Sequence, residues 1–143
     1  MRVLILCTGN SCRSQMAQAF MSSFDPALEV FSAGTEPAEK VSKKAVAVMY
    51  EIGIDLRDAY PKDVRLYLNE EWDYVITVCG GANEKCPAFT GKVKHRLHIG
   101  FDDPAAVTGD TEFVMDEFRR IRDEIRNGFF SFYENEIKKQ EQL

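Results

Sequence analysis

Hydrophobic positions fall into a few blocks along the chain, and their spacing alternates between strand-like and helix-like. Val3-Leu4-Ile5-Leu6 is an unbroken apolar run, which suits a strand from Arg2 to Leu6 buried on both faces. Met16, Ala19, Phe20 and Phe24 recur at helical spacing and predict a helix from about Ser14 to Phe24, ended by Asp25-Pro26. Leu28 to Ala33 alternates moderately and reads as a second strand closed by Gly34. Ala45, Val46, Val48, Met49 and Ile52 mark a second helix, with Ser42 as its N-cap and Gly53 just past its end. Asp63 opens a short helical segment through Leu66 and Leu68. Trp72 to Val78 is the second strong apolar strand, and it delivers Cys79 at its C-terminal end. The stretch from Gly80 to Gly91, with Pro87, reads as a loop holding one helical turn around Ala82 to Cys86. Val93 to Ile99 is a polar-interrupted edge strand. A last helix starts near Thr111 and carries Phe113 through Phe132 at helical spacing, and the charged tail from Glu134 is expected to fray.

Strands alternating with helices imply a parallel, doubly wound α/β sheet, and 143 residues imply one domain, 1–143. In such sheets ligands bind at the carboxyl ends of the strands. That rule puts Cys7, Cys79 and the Asp102-Asp103 loop on one rim. The composition is that of an ordinary soluble protein, and the net charge of −5 argues against a nucleic-acid binder. The N-terminal apolar run is too short for a signal peptide or a membrane span, so a cytoplasmic protein is expected. No long exposed apolar stripe demands a partner, which favours a monomer. Four cysteines in a cytosolic chain suit catalysis or metal binding better than structural disulfides.

The chemistry concentrates in Cys7-Thr8-Gly9-Asn10-Ser11-Cys12-Arg13-Ser14, the turn between the first strand and the first helix. Small and polar residues there let several backbone N–H groups converge on one point, backed by the positive end of a helix. Arg13 adds a planar fork of donors suited to an oxyanion. Donors that hold an oxyanion also stabilise a sulfur anion, so Cys7 is the candidate nucleophile within a nest formed by Thr8, Gly9, Asn10, Ser11, Cys12 and Arg13. The plain alternative is a buried structural cysteine beside an ordinary turn. It does not account for arginine six residues on, serine next and a helix starting there.

Cys-x5-Arg-Ser at the first strand–helix turn, with a late Asp-Pro loop, resembles the low-molecular-weight protein tyrosine phosphatases. The longer stretch Leu6 to Ala17 resembles the thioredoxin-coupled arsenate reductases built on that fold. So do Ser32-Ala33-Gly34, Thr77-Val78-Cys79-Gly80 with Cys86-Pro87, and Gly100-Phe101-Asp102-Asp103-Pro104-Ala105. The resemblance implies a three-layer sandwich around a four-stranded parallel sheet. It implies that Cys7 attacks arsenate, that Cys79 then attacks Cys7, and that Cys86 attacks Cys79. Thioredoxin would then reduce the resulting Cys79–Cys86 disulfide. The cysteine pair separates this reading from a phosphatase hydrolysing phosphate monoesters through a Cys7 phospho-enzyme, which needs only the first cysteine. A zinc half-site is the other reading of the pair, but its spacing exceeds the usual gap.

By the same resemblance Asp103 is the general acid, with Asp102 capping or orienting its loop. Otherwise both aspartates only start a turn. Ser14 is expected to donate a hydroxyl hydrogen bond to the Cys7 sulfur, and Cys12 to be a bystander. Some relatives hold a potassium ion through residues matching Asn10 and Ser32, although Gln18 stands here where they carry a glutamate. His95 and His98 lack a ligand-spaced third residue for a metal. Ala105-Ala106 after Pro104, where phosphatases carry an aromatic residue, favours a small inorganic substrate over a phosphotyrosine.

Overall fold

A computed structural model describes residues 1–80 and 88–141. Strand β1 (Arg2–Cys7) leads through the turn into helix α1 (Arg13–Phe24), then β2 (Glu29–Gly34) and α2 (Lys43–Tyr50). A 3-10 turn at Val64–Tyr67 precedes β3 (Glu71–Thr77) and β4 (Lys92–His98). A second 3-10 turn at Pro104–Ala106 leads to the long helix α3 (Thr111–Phe132). The sheet is parallel throughout, in the order β2-β1-β3-β4. The strand order therefore reverses between β1 and β3. A crevice opens at the carboxyl ends of the strands at such a point, because the connections leave β1 and β3 in opposite directions.

The apolar runs do what their spacing predicts. Val3 and Ile5 face one side of the sheet and pack with Met16, Phe20, Ala45, Met49, Phe118, Ile121 and Ile125, so α1, α2 and α3 share one core. Leu4 and Leu6 face the other side with Ala33, Trp72, Val75 and Phe89. The 3-10 turn backs this second face through Val64 and Tyr67, forming a thinner third layer among the described residues. β4 is the exposed edge, and its Lys92, Lys94 and Arg96 suit a strand guarded by charge.

The tail does not fray. After α3 the chain continues through a π-type turn, Tyr133–Ile137, and one further turn, Lys138–Glu141. Ile137 is fully buried in the main core, and Gln140 donates to the Tyr74 hydroxyl at 2.7 Å. The wider π turn places Ile137 on the face of Phe132 despite a five-residue interval. No helix among the described residues is long and apolar enough to cross a membrane.

Candidate active site

β1 ends at Cys7, and α1 begins six residues later at Arg13. The intervening turn is turned inside out by its neighbours. The Thr8 carbonyl accepts from Glu36 N–H at 2.9 Å, Gly9 from Ala38 at 2.9 Å and Ser11 from Ser42 at 2.8 Å. The Asn10 carbonyl accepts from the Gln15 side chain at 3.1 Å. In a trans peptide each N–H points opposite to the adjoining carbonyl. The amides of Gly9, Asn10, Ser11 and Cys12 thus turn away from these outer partners. The Asn10 amide reaches Cys7 Sγ at 3.2 Å. Asn10 achieves this with φ of 50°, the left-handed region that asparagine tolerates better than most residues.

Cys7, Thr8, Gly9, Ser11, Cys12 and Arg13 line a cavity of about 370 Å³ together with Asp103 and Ala105. Arg13 is 6% exposed, and its Nη1 donates to the Phe101 carbonyl at 3.1 Å. Its Nη2 lies 3.8 Å from Asp103 Oδ2. Ser14 sits under the nest: its Oγ is 2.9 Å from Cys7 Sγ and accepts from Asn10 Nδ2 at 2.8 Å. Either the Ser14 hydroxyl or the Cys7 thiol can be the donor in this contact. Burial pushes the Cys12 thiol up from the ordinary 9.0 to about 12, against the pull of Arg13, so it stays protonated at neutral pH.

Asp103 is brought to the nest as expected, but it also takes the capping role expected of Asp102. Asp103 Oδ1 accepts from Ala105 N–H at 3.0 Å, whereas Asp102 points outward, 3.6 Å from Arg120. Cys79 lies two residues beyond β3. Leu6 and Val78, the residues preceding the two cysteines, are joined by a backbone hydrogen bond of 3.0 Å. Both cysteines are 3% exposed within one core cluster, although Cys79 is not among the residues lining the cavity. Cys86, with the helical turn expected at 82–86, lies outside the described residues.

The residues expected to hold potassium each have a protein partner in this structure. Asn10 Oδ1 accepts from Gln15 Nε2 at 3.1 Å and from Lys62 N–H at 2.9 Å. The Ser32 hydroxyl donates to Gln18 Oε1, a neutral group. Asp63, whose backbone bridges to Gly34, holds Arg65 with its carboxylate. In this arrangement these groups are taken up by protein partners.

Two supports of the nest were not legible in advance. Gln15 is buried and bonds Asn10 twice and the Tyr60 carbonyl at 2.9 Å. Gly34 presses its backbone against Thr8, where an added Cβ would stand 2.3 Å from the carbonyl oxygen. A buried glutamine on the core-facing side of α1 and a glycine ending β2 were the available signals.

A buried cysteine in a nest of amides beside Arg13, at the switch point of a parallel sheet, is an arrangement suited to holding an oxyanion. The chain belongs to the low molecular weight phosphotyrosine protein phosphatase family, whose sequence profile matches residues 2–143. It is 45% identical over 124 residues to an arsenate reductase of Shouchella clausii, covering 86% of this chain and 88% of that one. It is 41% identical over 133 residues to an arsenate reductase of Bacillus subtilis, covering 92% and 94%. Among solved structures, an arsenate reductase in its reduced state superposes with a TM-score of 0.72 at 26% identity, covering 92% of this chain and 95% of that one. A structure described as an arsenate reductase in the phosphate binding state gives 0.69 at 25% identity, with the same coverage.

Proposed function

We propose that the chain reduces arsenate to arsenite through a relay of three thiols. Cys7 Sγ attacks arsenic(V), and a sulfur–arsenic bond forms as Asp103 protonates the departing oxygen, which leaves as water. Arg13 and the nest amides hold the remaining oxygens. The Cys79 thiolate then attacks Cys7 Sγ. A disulfide forms, the sulfur–arsenic bond breaks with its electron pair on arsenic, and arsenite departs. Cys86 attacks Cys79 Sγ and releases Cys7 as a thiolate. An external dithiol of the thioredoxin class reduces the Cys79–Cys86 bond and becomes a disulfide itself.

The observation that carries this reading is the hydrogen bond from Val78 N–H to the Leu6 carbonyl, which sets a second buried cysteine just past the end of the strand next to the nucleophile's own. A hydrolytic phosphatase has no use for that second sulfur. Several curated relatives named arsenate reductases, 37–45% identical, support the same substrate. The methyl group of Ala105 at the cavity, where an aromatic residue would stack on an aryl ester, supports a small inorganic oxyanion.

The test follows NADPH consumption with arsenate, thioredoxin and thioredoxin reductase. Wild type is expected to turn over, and Cys7→Ser, Cys79→Ser and Cys86→Ser each to stop. Full activity in Cys79→Ser or Cys86→Ser would overturn the relay. No NADPH consumption by wild type, with Cys7-dependent hydrolysis of p-nitrophenyl phosphate, would make the protein a phosphatase.

A further inference from the structure

His98 closes β4, and both nitrogens of its ring lie at the junction that carries Cys79. Nδ1 shares a hydrogen bond of 2.7 Å with Thr77 Oγ1, two residues before Cys79. The other nitrogen, Nε2, lies against Gly100. A Cβ built there would stand 2.8 Å from Nε2 and 2.8 Å from the Cys79 carbonyl oxygen. Only a glycine lets the imidazole and the Cys79 backbone close on the same point. The main chains of the two segments run side by side: Ile99 N–H donates to Thr77 at 2.9 Å, and Phe101 N–H to Val78 at 3.2 Å. Phe101 in turn gives its carbonyl to Arg13. One short stretch, His98 to Phe101, therefore touches the base of the second thiol and the anion-holding arginine.

We infer that His98 is a positioning residue for Cys79. It fixes the exit of the chain from β3, so that the Cys79 sulfur is aimed at Cys7 Sγ when the arsenic adduct is in place. This inference rests on the reductase reading, because Cys79 is used only after the arsenic adduct has formed on Cys7. In that step the Cys79 thiolate bonds to Cys7 Sγ, the sulfur–arsenic pair passes to arsenic and arsenite leaves. His98 takes no proton and no electron. It acts before Cys79 moves, by restricting where the movement starts. Thr77 is the other half of the device, and the exposed end of β4 gives the imidazole room to adopt this pose.

The test compares His98→Ala, His98→Asn and Thr77→Val with wild type in two assays. Hydrolysis of p-nitrophenyl phosphate reads only the Cys7 half of the chemistry. Thioredoxin-coupled arsenate turnover, with single-turnover trapping of the Cys7–Cys79 disulfide by mass spectrometry, reads the second half. Loss of one positioning hydrogen bond is expected to slow disulfide formation and kcat about tenfold in His98→Ala and Thr77→Val. KM for arsenate and p-nitrophenyl phosphate hydrolysis should stay within about twofold of wild type, since Cys7 and Arg13 are untouched. His98→Asn places an amide near the Nδ1 position and should recover most of the rate. Equal loss in both assays would mean that His98 merely holds the fold, and it would overturn the inference. So would an unchanged rate of disulfide formation. A wild-type protein that never reduces arsenate overturns the reductase reading instead, and the role of His98 with it.

Discussion

Gly34→Ala probes whether the outer loop shapes the nest. The added Cβ would lie 2.3 Å from the Thr8 carbonyl oxygen and 3.0 Å from the Asn10 amide nitrogen. Both are backbone atoms, so no side chain can swing aside. Relief requires the Thr8 peptide to retreat by about 1 Å to reach an ordinary contact distance. The Glu36 amide, two residues past Gly34, holds the same carbonyl oxygen toward this loop at 2.9 Å, and the Asn10 amide is the one that reaches Cys7 Sγ. Overpacking of this kind costs about 1–3 kcal/mol. For a chain of this size that lowers Tm by roughly 3–10 °C. The catalytic effect should be larger than the thermal one. A misplacement of about 1 Å in anion donors reduces kcat/KM about 100-fold. The assays are a thermal melt by circular dichroism and kcat/KM for p-nitrophenyl phosphate and for arsenate. Both substrates should suffer alike, because the nest acts before their chemistries diverge. A variant with wild-type kcat/KM would refute the idea that β2 and its loop hold the nest in shape.

Asp103→Asn should lower kcat about 100- to 1,000-fold on either oxyanion, as expected for a lost general acid, while the amide oxygen still caps Ala105 and Tm stays close to wild type. Cys12, with its thiol pushed up to about 12 by burial, should resist iodoacetamide at pH 7–8 while Cys7 reacts, as read by peptide mass mapping. The sign for stability follows: the neutral thiol is favoured in the folded state, so this contribution is complete below pH 9 and is lost as pH rises through 12, seen as a falling urea midpoint. Ile137→Ala, at a fully buried position beyond the π turn, should cost about 3 kcal/mol and lower Tm by about 10 °C with kcat unchanged. A frayed tail would show no such loss.

The parts of this molecule that could be read from the chain are those governed by nearest-neighbour rules. Two strongly apolar stretches announce β1 and β3, because a parallel strand covered on both faces is built mostly of such residues. The spacing of Cys7, Arg13 and Ser14 announces the nest, because a strand-to-helix turn of that length leaves its amides one place to converge. Gln15 and Gly34 escaped notice for the opposite reason. Besides its local bonds to Asn10, Gln15 reaches across 45 residues to Tyr60, and Gly34 across 26 to Thr8, and neither distance leaves a local trace. The tail reads as frayed because its charged residues mask the register that buries Ile137. Phe132 and Ile137 are five apart, off the 3.6-residue period, and only a π turn restores them to one face. The pairing of Cys7 with Cys79 lies between these extremes. Each cysteine follows its own strand, and each strand is legible. Their adjacency needed the sheet order, in which β3 passes over to the side of β1 away from β2. A chain wound in the order 1-2-3-4 would keep both motifs, yet place β2 between the two sulfurs at about twice the spacing of neighbouring strands, about 10 Å. That exceeds the roughly 7 Å limit between α-carbons that a disulfide can bridge. The strand order therefore decides whether the second thiol can reach the first, and it is the one feature of the relay that no motif in this sequence encodes.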